Sequence, residues 1–175
     1  MAIIAEGQHA VSFTGAQVGI VTDSAHNRAK ITEVRGDRVR EALARGMIVI
    51  VAGFQGEAAD GRITTLGRGG SDYTAALLAA ALGAEKLEIW TDVSGLMTAD
   101  PRLVRSARPI ARISYQEAME LSHFGAKVIY PPTIQPVMSK NIPVWIKNSF
   151  APGEHGTMIA NKDIQFRDSV KEDNI

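Results

Sequence analysis

The chain has 175 residues, 45% of them apolar and 22% charged, enough for one domain with a proper core and too few for two comfortable ones. Nineteen basic residues balance nineteen acidic ones, so bulk charge favours neither nucleic acid nor an anionic membrane, and recognition of an anion has to come from a local site. The absence of cysteine excludes disulfides and thiolate chemistry and fits a reducing cytosol.

In chain order, HAVSF reads as a short strand, followed by the polar, glycine-containing TGAQVGIVTDSAHN and a strand in AKITEV. GDRVREALARG reads as a helix, with Asp37 near its start and Gly46 just past its end. MIVIVAG is a continuous, largely β-branched run, as expected of a strand buried on both faces. It is also, with AALLAAALGA, among the longest apolar stretches. Both fall short of the about 20 residues that span a bilayer, and no basic-then-apolar leader opens the chain.

TTLGRGGSDYTAALLAAALGA places three glycines and Arg68 directly before an alanine- and leucine-rich helix. Ser71 or Asp72 can cap that helix, and Gly83 sits where it should stop. A glycine turn at a helix N-terminus offers bare N–H groups and the positive end of a dipole to an anion. Arg68 adds a planar fork of donors matched to carboxylate or phosphate.

KLEIWTD is the next strand, ending in the turn-like DVSG. SYQEAMELSHFGA opens with a capping box, Ser114 three residues before Glu117. PPTIQPVMSKN starts with prolines where a helix accepts them, although Pro136 would kink a regular one. IPVWIKNS and GTMIA are the last strands, and the polar end from 161 to 175 reads as a tail or linker. Strands separated by helices predict an α/β sheet covered on both faces, with a ligand site at the carboxyl ends of the strands.

Four scattered histidines lack zinc spacing, so no metal site is expected from them. No GxSxG, GxGxxG or GK[ST] motif is present. What remains is a set of polar loop residues: Thr91 and Asp92 at a strand end, Arg102 after an Asp-Pro turn, and Lys127 after a helix. Singly, Asp92 could cap a turn, Arg102 could be solvated, and Lys127 could offset a helix dipole. Together with Arg68 they could form a cationic pocket for phosphates and a carboxylate. Phosphoryl transfer needs mainly positioning and charge neutralisation, so such loops could carry it.

VAGFQG, the LGRGGSD loop, EIWTDVSGLMTADPR, ISYQEAMELSHFGAKVIYPPTI and IPVWIKNSF…GTMI closely resemble the C-terminal half of the catalytic domain of aspartokinases, from about His9 to Ile159. The resemblance implies part of an αβα sandwich of the amino-acid-kinase, carbamate-kinase-like type over 1–160, with 161–175 leading towards regulatory domains. It implies transfer of the ATP γ-phosphoryl group, with Mg2+, to the side-chain carboxylate of L-aspartate in lysine, threonine and methionine biosynthesis in the cytoplasm. By position, Arg68 corresponds to the group that clamps the aspartate carboxylate, and Asp72 to one that orients the catalytic lysine. The resemblance also implies that Phe54, Gly69, Gly70 and Ser71 line the amino-acid pocket. Thr91, Asp92, Arg102, Lys127 and Val128 correspond to nucleotide contacts, with Met97 in place of a tyrosine that packs near the nucleotide. Tyr130 replaces a histidine.

The Lys-Phe-Gly-Gly-Thr-Ser segment that supplies the family's lysine does not occur here, and the ACT regulatory domains that usually follow are missing. The chain therefore reads as a piece of an aspartokinase, inactive alone, with an open sheet edge that favours homo-oligomers. Two other readings stand beside it: a non-catalytic homologue that binds nucleotide or associates with a full kinase, and a kinase for another amino-acid carboxylate. No nucleic-acid or membrane partner is expected.

Overall fold

The computed structural model describes residues 1–67, 69–100, 102–124 and 129–161, the side chains of residues 123 and 124 excepted. Arg68, Lys127 and Val128 therefore lie outside the described residues, as does the polar end beyond Asn161. The chain divides into two compact units, Met1–Leu82 and Gly83–Ile175.

The first unit comprises α1 (Ala2–Ala5), β1 (Ala10–Phe13), α2 (Gly15–Val18), β2 (Ile20–Thr22), β3 (Ile31–Val34), α3 (Asp37–Ala44), β4 (Ile48–Val51), β5 (Gln55–Ala58), β6 (Ile63–Thr65) and α4 (Gly70–Leu82). The stretch read as a polar connection holds a helical turn and a strand. Thr14 and Gln17 form a reciprocal capping box that starts α2, and Gly19, in the left-handed region at φ 79°, ends it. β1 and β4 pair in parallel, Ala10 opposite Ile48 through Phe13 opposite Val51. A second sheet has the order β3-β2-β5-β6, with β2 and β5 parallel and the outer pairs antiparallel. This unit is mixed α/β, as expected, with its strands in two sheets.

The core of this unit is Val18, Ile20 and Val39, with Phe13, Val49, Val51, Leu78 and Leu82 packed against it. The expectation of a doubly buried β4 fails here. Val49 and Val51 face the core, but Ile48 and Ile50 are each 42% exposed. Alternate residues of a strand point to opposite faces, and within this unit only one face of β4 has a core to pack on. The apolar run gives no alternation in sequence, yet its burial alternates. Arg40 ties α3 to the far end of α4, donating to Arg35 O and Ala81 O at 2.7 Å each.

The second unit comprises β7 (Leu87–Thr91), β8 (Arg112–Ser114), α5 (Tyr115–Phe124), a 3-10 turn at Pro131–Thr133, α6 (Ile134–Ser139), β9 (Val144–Asn148) and β10 (Thr157–Ala160). The sheet order is β7-β9-β10-β8, parallel except between β9 and β10. The predicted capping box starts α5: Ser114 N–H donates to Glu117 Oε2 at 2.9 Å, and Glu117 N–H to Ser114 Oγ at 3.3 Å. Pro136 sits third in α6, in a first turn that needs no N–H from it. Tyr115 is 2% exposed and donates its hydroxyl to Ile142 O at 2.7 Å. Burial pushes that phenol up to about 12. Among the described residues no helix is long and apolar enough to cross a membrane.

Candidate active site

In the first unit, the turn after β4 meets the start of α4. Phe54 has φ 68°, a left-handed conformation that costs a residue with a side chain about 1–2 kcal/mol. The surroundings hold it there. Phe54 N–H donates to Thr74 Oγ1 at 3.2 Å, and Phe54 O accepts from Leu66 N–H at 3.0 Å. Thr74, 2% exposed, donates its hydroxyl to Gly70 O at 2.5 Å. The Phe54 turn, the strand end at Leu66 and the first turn of α4 thus form one hydrogen-bonded junction.

Gly70 lies under the Phe54 ring, and a Cβ at that position would collide with ring atom Cδ2. Phe54 nevertheless stays 46% exposed, so one part of its ring seats on the helix and the rest faces outward. Ser71 and Asp72 do not cap α4, which already begins at Gly70. They lie inside its first turn, with Ser71 Oγ donating to Asp72 Oδ1 at 3.4 Å. Gly69, at φ 68°, makes the entry. Phe54, Gly70, Ser71 and Asp72 therefore lie together at the start of α4. The arrangement offers helix N–H groups and an apolar ring side to a small anionic ligand.

Sequence reading missed the loop of residues 23–30, which is fastened to the strand end before the glycine loop. His26 O accepts from Thr65 N–H at 2.8 Å and from Thr65 Oγ1 at 2.9 Å, and Ala29 N–H donates to Thr65 O at 3.0 Å. Asp23 Oδ1 shapes the loop by accepting from Ala25 N–H at 3.2 Å and Lys30 N–H at 3.1 Å. These ties are mostly backbone contacts, which residue type does not reveal, although Asp23 is a common turn former.

In the second unit, β7 and β9 run parallel with Thr91 opposite Asn148, so both carboxyl ends reach one edge. Thr91 Oγ1 donates to Asp92 Oδ1 at 3.2 Å, and Ser149 N–H to Thr91 O at 2.8 Å. Asn148 Nδ2 donates to Ser94 Oγ at 2.9 Å. Leu96 N–H donates to Thr157 Oγ1 at 2.8 Å, and that hydroxyl donates to Ile110 O at 2.6 Å. Gly95, buried at φ 114°, lies so close to Thr157 that a Cβ would meet its Oγ1. The turn is thus bound down along its length, and Asp92 is left exposed. Asn148 and Thr157, absent from the sequence-based set, do this holding.

Arg102 engages Asp100 in a two-pronged pair, Nη2 to Oδ2 at 2.8 Å and Nε to Oδ1 at 3.1 Å. That hydrogen bond is the main reason the Asp100 carboxyl is held below its ordinary value. The Arg102 side chain remains 87% exposed. Met97 forms an isolated antiparallel bridge with Pro109. Among the described residues no group of three or more His, Asp or Glu could hold a metal ion.

The amino acid kinase family matches residues 1–148. The aspartokinase of Geobacillus stearothermophilus is 48% identical over 159 residues, which cover 91% of this chain and 39% of that protein. The aspartokinase of Mycobacterium tuberculosis is 44% identical over 173 residues, 97% of this chain and 41% of that one. Among solved structures, E. coli aspartokinase III in complex with aspartate and ADP aligns with a TM-score of 0.84 at 42% identity, over 91% of this chain and 36% of that one. Isopentenyl phosphate kinase, 21% identical with a TM-score of 0.63 over 91% of this chain and 62% of its own, shares the fold. The chain spans about two fifths of the length of the curated relatives named here.

Proposed function

The chain belongs to the amino acid kinase family, and from that premise we propose that it is part of an aspartate kinase. In the proposed reaction a side-chain carboxylate oxygen of L-aspartate attacks the γ-phosphorus of ATP. The bond from that phosphorus to the β–γ bridging oxygen breaks, and ADP and an acyl phosphate leave. The observation that carries the reading is the likeness, at 42% identity, to a structure that holds aspartate and ADP.

The residues take the following roles in this proposal. Arg68, set between Gly67 and Gly69 by sequence, clamps the aspartate carboxylate. Gly69, Gly70 and Ser71 let the substrate approach the backbone, and the exposed side of Phe54 lines the amino-acid pocket. Asp72 orients the lysine that performs catalysis in the whole enzyme. Thr91, Asp92, Arg102, Lys127 and Val128 contact the nucleotide, and Met97 packs near it. Mg2+ usually binds through one or two carboxylates together with substrate phosphates, keeping several waters. The exposed Asp92 fits that requirement, and the metal's chemistry there would be neutralisation of phosphate charge.

The whole protein works in the cytoplasm as a homo-oligomer with ACT regulatory domains, and the 175 residues alone do not turn over. The test uses the complete enzyme containing this chain, incubated with MgATP, hydroxylamine and one amino acid at a time. Aspartate should yield the trapped hydroxamate. Faster reaction with glutamate or acetylglutamate would replace aspartate as the substrate, and no reaction with any acceptor would leave a binding protein.

A further inference from the structure

The loop that joins β2 to β3 carries an exposed cation, Arg28. Among the described residues no carboxylate pairs with it, whereas Arg35, Arg40, Arg62 and Arg102 each hold an acidic neighbour. Its backbone is fixed. Arg28 N–H donates to Ala25 O at 2.8 Å, and His26, two residues before it, and Ala29, next to it, are bonded to Thr65. A Cβ built on Gly67 would lie 3.9 Å from Arg28 Cγ, so the arginine stem rests beside the first glycine of the loop that enters α4. The same segment encloses His26 Nε2 without a hydrogen-bond partner among the described residues.

We propose that Arg28 is a second guanidinium of the glycine-loop site, donating hydrogen bonds to an anionic oxygen of the bound substrate. The inference rests on the reading of this chain as part of an aspartate kinase. A fixed backbone sets where the arginine side chain starts, so less has to be ordered when its head binds. An unpaired guanidinium keeps its donors for a carboxylate or a phosphate. The other arginines of the described first unit that hold acidic partners have part of their donor set already occupied. Either source of the oxygen is chemically suitable, the amino acid or the nucleotide, and the two are separated by which Michaelis constant moves.

The test compares wild-type complete enzyme with Arg28→Ala, Arg28→Gln and Arg28→Lys, and with Arg38→Ala as a control on an exposed arginine of α3. Loss of a hydrogen bond to a charged group predicts a KM for aspartate or for ATP raised about tenfold or more in Arg28→Ala. The other KM and kcat should stay near wild type. A rise for aspartate assigns the contact to its carboxylate, and a rise for ATP assigns it to a phosphate. Arg28→Lys should recover only part, because it keeps the charge without the fork, and Arg38→Ala should change neither constant. Arg28→Gln, which retains much of the stem, replaces the alanine variant if that one does not fold. Unchanged KM values for both substrates in a folded variant would overturn the assignment. If wild-type enzyme phosphorylates no aspartate, the proposed function falls. Titration of ADP and inorganic phosphate into wild type and Arg28→Ala then decides Arg28 by itself, equal dissociation constants for both probes counting against it.

Discussion

The junction at Phe54 and Gly70 and the turn at Asp92–Gly95 are ordered by different means. In the first, one residue holds a costly backbone conformation and a ring packs on a bare helix start. In the second, side-chain hydroxyls and an amide bind a strand-end turn at several points. The first leaves part of an apolar ring facing outward beside a helix start, which suits a small anionic amino acid. The second leaves a carboxylate facing water, which suits a metal-bound nucleotide. Each unit thus holds its proposed site residues by fixing backbone, and the two differ in how much of the fixing a single substitution can undo.

That difference predicts unequal effects of the same change. Gly95→Ala meets two obstacles, a φ of 114° and the Thr157 hydroxyl. Adding the left-handed penalty to overpacking gives a loss of about 2–5 kcal/mol, read from denaturant midpoints. A loss no larger than that of Gly70→Ala would break the comparison.

Alkaline pH probes the second unit through Tyr115. Its folded-state value, about 12 against an ordinary 10.0, lies above the unfolded one, so the buried phenol contributes fully below pH 10. The contribution is lost as pH rises from 10 through about 12, and amounts to about 2–3 kcal/mol. Urea midpoints of wild type should fall across that window more than those of Tyr115→Phe. Parallel curves would show that the phenol is not sealed.

Gly70→Ala has one obstacle, the Phe54 ring, and should cost about 1–3 kcal/mol. Its sharper signature is functional. The ring must move, so KM for aspartate should rise more than KM for ATP in the complete enzyme. Equal changes would show that the ring does not border the amino-acid pocket.

Much of this was legible in sequence where local chemistry decides. The Ser114–Glu117 capping box, the stop at Gly83 and the strands at Leu87–Thr91 and Val144–Asn148 follow from capping, φ and β-branched runs. Strand β5 did not, because its sequence QGEA has no branched or aromatic residue and owes its state to pairing with β2 and β6. The left-handed Phe54 was equally hidden, since nothing in the residue type favours that conformation. Arg102 appeared as a free cation in sequence, but its neighbour Asp100 takes two of its donors. Residue type pointed to the glycines as the first unit's proposed site. It did not reveal the loop at Asp23–Lys30 that braces them.

The proposed function implies a division of labour, amino acid held by the first unit's residues and nucleotide by the second's. It is tested by steady-state kinetics of Arg68→Ala and Asp92→Asn in the complete enzyme. Losing one partner of a desolvated charge pair costs about 2–5 kcal/mol, so Arg68→Ala should raise KM for aspartate steeply while KM for ATP stays near wild type. Asp92→Asn should do the reverse, raising KM for MgATP and leaving aspartate little changed. Both variants moving the same constant, or Arg68→Ala leaving aspartate kinetics as they were, would rule out that division.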